Sequence, residues 1–274
     1  MRSCTWLRQG TAAAAAGAGT LPAFDVYESG AAGSRDWRLF FRDLASGRAI
    51  SPWHDLPLRC VPDAHSAPAA AAAADPRLLA AVIEVPRGTR AKMELMKEAK
   101  YNPIVQDVYA KQPGQPLRFF RYGDIPFNYG FLPRTWEDPS HRDDRTGCIG
   151  DGDPLDVVHL GPKLAMGQYG AVRVLGVLGL IDVGETDWKI IVESASPEAG
   201  EGYGSLSRVP KDVQAAIVDW FENYKVPDGK PKNEFAFNKE IRDADTALEI
   251  IVQCATQYEA LMSGRYPGLG YWLR

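Results

Sequence analysis

The chain has 274 residues, 45% of them hydrophobic and 24% charged, enough to bury one substantial core. A net charge of -4 and a pI near 5.7 exclude a general attraction to nucleic acid or anionic lipid, and no uninterrupted apolar run reaches the roughly 20 residues that cross a bilayer. Cys4, Cys60, Cys148 and Cys254 form no Cys-x-x-Cys pair, so reduced thiols are expected rather than a zinc site or a disulfide framework.

Residues 1–24 carry Arg2 and Arg8, an alanine tract and no acidic residue before Asp25. That composition fits an organellar transit peptide, chloroplast ahead of mitochondrion, and equally an alanine-rich leader on a cytoplasmic protein. Residues 25–63 read as an N-terminal extension in which Asp36 to Phe41 and the segment around Ile50 form a β-hairpin. Residues 64–76, mostly alanine and punctuated by Pro68 and Pro76, read as a low-complexity loop. The main domain spans 77–263, followed by a tail at 264–274. Its short apolar runs separated by glycine and proline predict a small β-barrel with strands at Val82 to Pro86, Ala91 to Met96, Leu117 to Tyr122, Leu155 to Leu160, Val172 to Ile181 and Trp188 to Glu193. Two helices follow. Val213, Ile217, Trp220, Phe221 and Tyr224 form the apolar face of the first, and Leu248, Ile251, Val252, Ala255 and Tyr258 that of the second. Barrel plus helices is an α+β architecture.

Gly150-Asp151-Gly152-Asp153-Pro154-Leu155-Asp156 puts three carboxylates at a turn entering a strand. Two like charges 4 Å apart repel by about 1 kcal/mol in water and about 4 kcal/mol at an effective dielectric of 20, so a convergent trio favours a bound cation. Oxygen-only ligands favour magnesium, manganese or calcium over zinc. An EF-hand is a poor fit, because counting from Asp151 puts Pro162 where a bidentate glutamate is needed. A second acidic group lies at Asp182, Glu185 and Asp187, in a turn joining two apolar strands, with Asp187 and Lys189 on one strand face. Lys92 and Glu94 likewise share a face opposite Met93 and Leu95, while Glu84, Arg87 and Arg118 add charge to nearby strands. Tyr224, Lys225 and Lys230 cluster at the end of the first helix. Taken singly, each group is also what a solvated surface shows. Taken together, carboxylates interleaved with Lys, Arg and Tyr are what metal-assisted phosphoryl transfer requires.

These motifs, together with Asn128-Tyr129-Gly130, Thr135-Trp136-Glu137-Asp138-Pro139, Gly184-Glu185-Thr186-Asp187-Trp188-Lys189 and Val226-Pro227-Asp228-Gly229-Lys230-Pro231, resemble the soluble family I inorganic pyrophosphatases of the eukaryotic type. The resemblance implies a five-stranded OB-like barrel with flanking helices, and hydrolysis of pyrophosphate to two phosphates by metal-activated water, with Mg2+ as cofactor. By that resemblance Asp151, Asp156 and Asp187 hold the central metal, Asp182 and Glu94 help hold metals that arrive with substrate, and Asp153 is the base. Lys92 and Tyr129 grip the phosphate under attack; Arg118, Tyr224 and Lys225 grip the departing one. Glu84, Arg87, Lys189 and Lys230 are further candidates. The resemblance also implies a homodimer, with neither nucleic acid nor membrane as a partner. Gly152, Val183 and Ile125 depart from the family, whose members commonly have asparagine, glutamate and tyrosine there. Two competing readings remain: an OB-like module that binds single-stranded nucleic acid, and a noncatalytic domain stabilised by calcium.

Overall fold

A computed structural model describes residues 23–59, 75–110, 112–195 and 202–274. The transit-peptide reading and most of the alanine-rich loop fall outside them. Among the described residues no helix is long and apolar enough to cross a membrane, and Cys148 and Cys254 are free thiols.

The extension contributes β1 (Phe24–Ser29), β2 (Arg38–Asp43) and β3 (Ala49–Ile50). The expected hairpin is the β2–β3 pair, in register at Phe41↔Ile50, with β1 added along the other edge of β2. Then come β4 (Leu78–Val85), β5 (Met93–Leu95), β6 (Ile104–Gln106), β7 (Asn128–Phe131), β8 (Ile149–Gly150), β9 (Asp156–Leu160), β10 (Tyr169–Asp182) and β11 (Glu185–Ser194). After them α1 (Lys211–Asn223), β12 (Glu234–Phe235), β13 (Arg242–Asp243) and α2 (Ala244–Met262) complete the chain. Leu39↔Ile104 joins β2 to β6, and β6 pairs with β5, so the extension continues the sheet that carries Glu94.

The barrel runs β10-β4-β7-β9-β11 and closes through β10–β11. Only β9–β11 is parallel within that ring, which makes it mixed. Closure removes the free edges that an open sheet would expose. Tyr169–Asp182 is long, rich in valine and leucine, and buried along nearly its whole length, because its two faces feed two cores. Val172, Val174 and Val177 pack under α2 with Ile250 and Cys254. Leu175, Leu178 and Leu180 pack with Trp220 and Phe221 of α1.

Three expectations need correction. Leu117 to Tyr122 is not a strand; it makes only isolated bridges at Leu117 and Phe119, since no neighbouring segment offers a continuous ladder. The buried face of α2 is Ala247, Ile250, Ile251, Cys254, Tyr258 and Leu261, leaving Val252 61% exposed; the β-sheet beneath selects a stripe rotated by about one residue. β7 was not expected as a strand, although it is a barrel member.

Candidate active site

A cavity of about 600 Å³ opens at one end of the barrel and is lined by Glu84, Lys92, Glu94, Arg118, Tyr129, Asp151, Asp153, Asp156, Asp182, Asp187, Tyr224 and Lys225. Twelve separate sequence candidates therefore meet in one place. Period-two geometry explains how: Asp187 and Lys189 point to the same side of β11, and Asp156 lies opposite Lys189 in the parallel β9–β11 register. A bulge in β4, where the pairing with β7 shifts between Ile83 and Val85, aims Glu84 inward.

Lys189 lies beneath this cavity, 2% exposed, and forms ion pairs with Asp156 and Asp187 while donating to the Tyr129 hydroxyl at 3.0 Å. Burial opposes its charge, but the two carboxylates outweigh it and hold its pKa well above the ordinary value. Tyr129 in turn donates to Asp156. On the other wall, Lys92 donates to Glu94 at 2.7 Å and to Asp107 at 3.0 Å, and Arg118 donates to the same Asp107 oxygen at 2.9 Å. Lys225 pairs with Asp182 at the end of β10. Arg87 and Lys230 are not among the cavity residues: Arg87 donates to the Gly161 carbonyl at 3.0 Å on the outside, and Lys230 is exposed.

Sequence reasoning passed over four charged groups. Glu137, within Thr-Trp-Glu-Asp-Pro, is buried, and its oxygen lies with those of Asp151 and Asp187 inside 4.8 Å of one another. Its Oε2 has no hydrogen-bond partner, and neither has Asp182 Oδ1. Burial, reinforced by the neighbouring carboxylates, pushes Glu137 and Asp151 well above the carboxylate range. Burial likewise raises Asp187 to about 7, against the pull of Lys189. Asp107 clamps two cations, Lys97 pairs with Asp153, and Arg38 of the extension reaches the cavity mouth. The charge pattern around Lys92 was the available signal for Asp107 and Lys97; Glu137 stood inside the Thr135 to Pro139 family motif without a role assigned to it.

Three carboxylates that repel one another, two buried oxygens without partners and no nitrogen or sulfur donor among them fit a hard cation. Of the departures, Ile125 is buried core and Val183 is 80% exposed at the β10–β11 turn, whereas Gly152 sits between Asp151 and Asp153, donates its amide to the Glu137 carbonyl at 2.9 Å and faces the C-terminal segment. The carboxylate floor also disfavours a groove for single-stranded nucleic acid.

A closed OB-like barrel with acidic and basic walls around one cavity defines a class of protein suited to holding a polyanion through cations. The family description "Inorganic pyrophosphatase" matches residues 81–259. A human inorganic pyrophosphatase is 40% identical over 251 residues, covering 90% of this chain and 82% of its own. The structure of inorganic pyrophosphatase from Schistosoma japonicum superposes with a TM-score of 0.78 at 36% identity, covering 90% of this chain and 84% of its own. An N-terminally truncated vacuolar soluble pyrophosphatase of Trypanosoma cruzi, in complex with PPi, gives a TM-score of 0.77 at 33% identity over 93% of this chain and 97% of its own. The chain belongs to the inorganic pyrophosphatase family, in its eukaryotic-type soluble branch.

Proposed function

We infer that the chain hydrolyses inorganic pyrophosphate to two phosphates, and the observation that carries this reading is the convergence of Asp151, Asp153, Asp156, Asp182 and Asp187 with Lys92, Arg118 and Lys225 around one cavity. Asp151, Asp156 and Asp187, with Glu137 beneath them, would hold magnesium, and Asp182 and Glu94 would complete further positions. Magnesium bound there would supply Lewis-acid polarisation and make the attacking water more acidic than bulk water, easing its deprotonation.

The remaining chemistry belongs to the side chains. Asp153, half-exposed at the cavity edge, accepts the proton of the attacking water as its oxygen bonds to one phosphorus and the bridging P–O bond breaks. Lys92 and the Tyr129 hydroxyl hold the phosphate under attack. Arg118 and Lys225 offset the charge of the departing phosphate and the Tyr224 hydroxyl donates to it, and the phosphate leaves without a covalent intermediate on the protein. Asp107 keeps Lys92 and Arg118 facing the same space before substrate enters.

The test is phosphate release from pyrophosphate with and without magnesium, comparing wild type with Asp153→Asn. A folded variant should lose about two to four orders of magnitude in kcat; equal turnover would remove Asp153 from the role of base. Homodimerisation and an organellar destination belong to the same proposal on the strength of the family resemblance and the leader composition. Light scattering on the purified chain and imaging of the full-length protein would decide them, a monomer or a purely cytoplasmic signal counting against.

A further inference from the structure

Residues after α2 do not leave the molecule. They fold back across the barrel end: the Trp272 amide donates to the Lys97 carbonyl at 2.8 Å, His54 Nε2 lies 3.1 Å from the Trp272 carbonyl and Arg274 pairs with Asp55 at 2.9 Å. Because a carbonyl can only accept, His54 carries its proton on Nε2.

Between these anchors Tyr271 meets the acidic turn. Its hydroxyl donates to the Gly152 carbonyl at 3.2 Å, and its ring lies 5.0 Å under the Lys97 ammonium. Lys97 donates to that same carbonyl at 2.8 Å and pairs with Asp153; the Trp136 indole donates to it as well, at 3.2 Å. Gly152 itself has φ of +80°, and a Cβ there would lie 2.6 Å from the Tyr271 hydroxyl oxygen. Asparagine tolerates positive φ better than most side chains, so the obstacle to a side chain at 152 is chiefly Tyr271. The C-terminal segment thus occupies the space that a side chain at 152 would fill.

We propose that Tyr271 is a positioning residue for the catalytic turn: with Lys97 it fixes the Gly152 carbonyl and so holds Asp153 at the cavity edge. The proposal rests on the pyrophosphatase reading for its effect on turnover, but the positioning itself is measurable without turnover. A side chain that only staples the tail would affect melting; one that positions Asp153 affects kcat.

The experiment uses the full chain as Tyr271→Phe, Tyr271→Ala, Gly152→Asn and the double variant Gly152→Asn/Tyr271→Ala. Steady-state pyrophosphate hydrolysis is measured at saturating magnesium, with amide exchange of residues 150–156, Pro154 excepted, in metal-free protein. In Tyr271→Ala, kcat should fall about tenfold with KM changed less than about twofold; Tyr271→Phe, which keeps the ring beneath the Lys97 ammonium, should fall about threefold. Gly152→Asn should lower kcat about fivefold alone and change it less than about twofold on top of Tyr271→Ala, because both act through one contact. Exchange at 150–156 should quicken by about tenfold in Tyr271→Ala. A kcat within twofold of wild type in folded Tyr271→Ala, losses that multiply in the double variant, or unchanged exchange would each overturn the proposal. If Tyr271→Ala does not fold, Tyr271→Phe decides by the same measures. If wild type shows no turnover, the pyrophosphatase reading fails while the exchange result still judges the positioning.

Discussion

Lys189 is a cation held almost out of water by two carboxylates and a tyrosine hydroxyl. Such an arrangement is stable as a set and costly when one member is removed, because the others stay buried without compensation. Lys189→Met should therefore destabilise the metal-free protein by about 3–5 kcal/mol in urea titration at pH 8, and the loss should shrink as acid protonates the abandoned carboxylates. An equal loss at pH 8 and pH 5 would mean that the lysine serves packing rather than charge. Asp187 and Lys189 were legible from their spacing, as were Asp151, Asp153 and Asp156 from the density of acid in a turn. Glu137 was not, since a lone glutamate beside tryptophan carries no periodicity or partner in sequence; only the approach of its turn to Gly150, where a Cβ would lie 2.5 Å from the Glu137 backbone, puts it beneath the others.

At the scale of elements, long strands announced themselves and short ones did not. Val172 to Ile181 and Trp188 to Glu193 have enough valine, isoleucine and leucine to read as strands wherever they occur. Asn128–Phe131 has four residues and a glycine, and it is a barrel strand because of its neighbours: a Cβ at Gly130 would sit 1.8 Å from the Val82 carbonyl oxygen. Close backbone approach requires glycine there. Gly130→Ala should cost about 3 kcal/mol or more and displace Tyr129 next to it; an unchanged urea midpoint would show that β4 and β7 can separate freely. The shifted face of α2 has the same origin. Leu248 and Val252 satisfy a helical apolar stripe as well as Ala247 and Ile250 do, and only the surface of β10 and β11 selects between them. The extension illustrates the limit in another way, since nothing in Arg38–Asp43 discloses that β6 will accept it as a neighbour.

For the molecule as a whole, cation binding and protonation compete for the same carboxylates. With Asp187 raised to about 7 and Glu137 and Asp151 pushed up as well, the metal-free fold takes up protons as pH falls through about 7, whereas the unfolded carboxylates stay ionised to about 4. Stability from this cluster is therefore present at low pH and lost as pH rises through about 7. His54 and His159 act in the opposite sense: burial lowers each to about 4, so their contribution is full above about 6.5 and fades toward 4. Magnesium at 100 times its dissociation constant should add about 2.7 kcal/mol at pH 8.5, and clearly less at pH 6. Calorimetry with magnesium and with chelator at both values checks this; an equal gain at the two would place the cation away from Asp187.

The mixed barrel also orders events in time. The β10–β11 hairpin turns through Val183 and Gly184, both at positive φ, and can form locally, whereas parallel pairing of β9 with β11 joins Asp156 to Lys189 across 33 residues. Non-local pairing follows local pairing because the loop entropy must be overcome first. Asp156 and Asp187 thus become neighbours only once β9 has joined β11, so the refolding chain gains affinity for a divalent ion after the β10–β11 hairpin has formed, and ion uptake times that pairing.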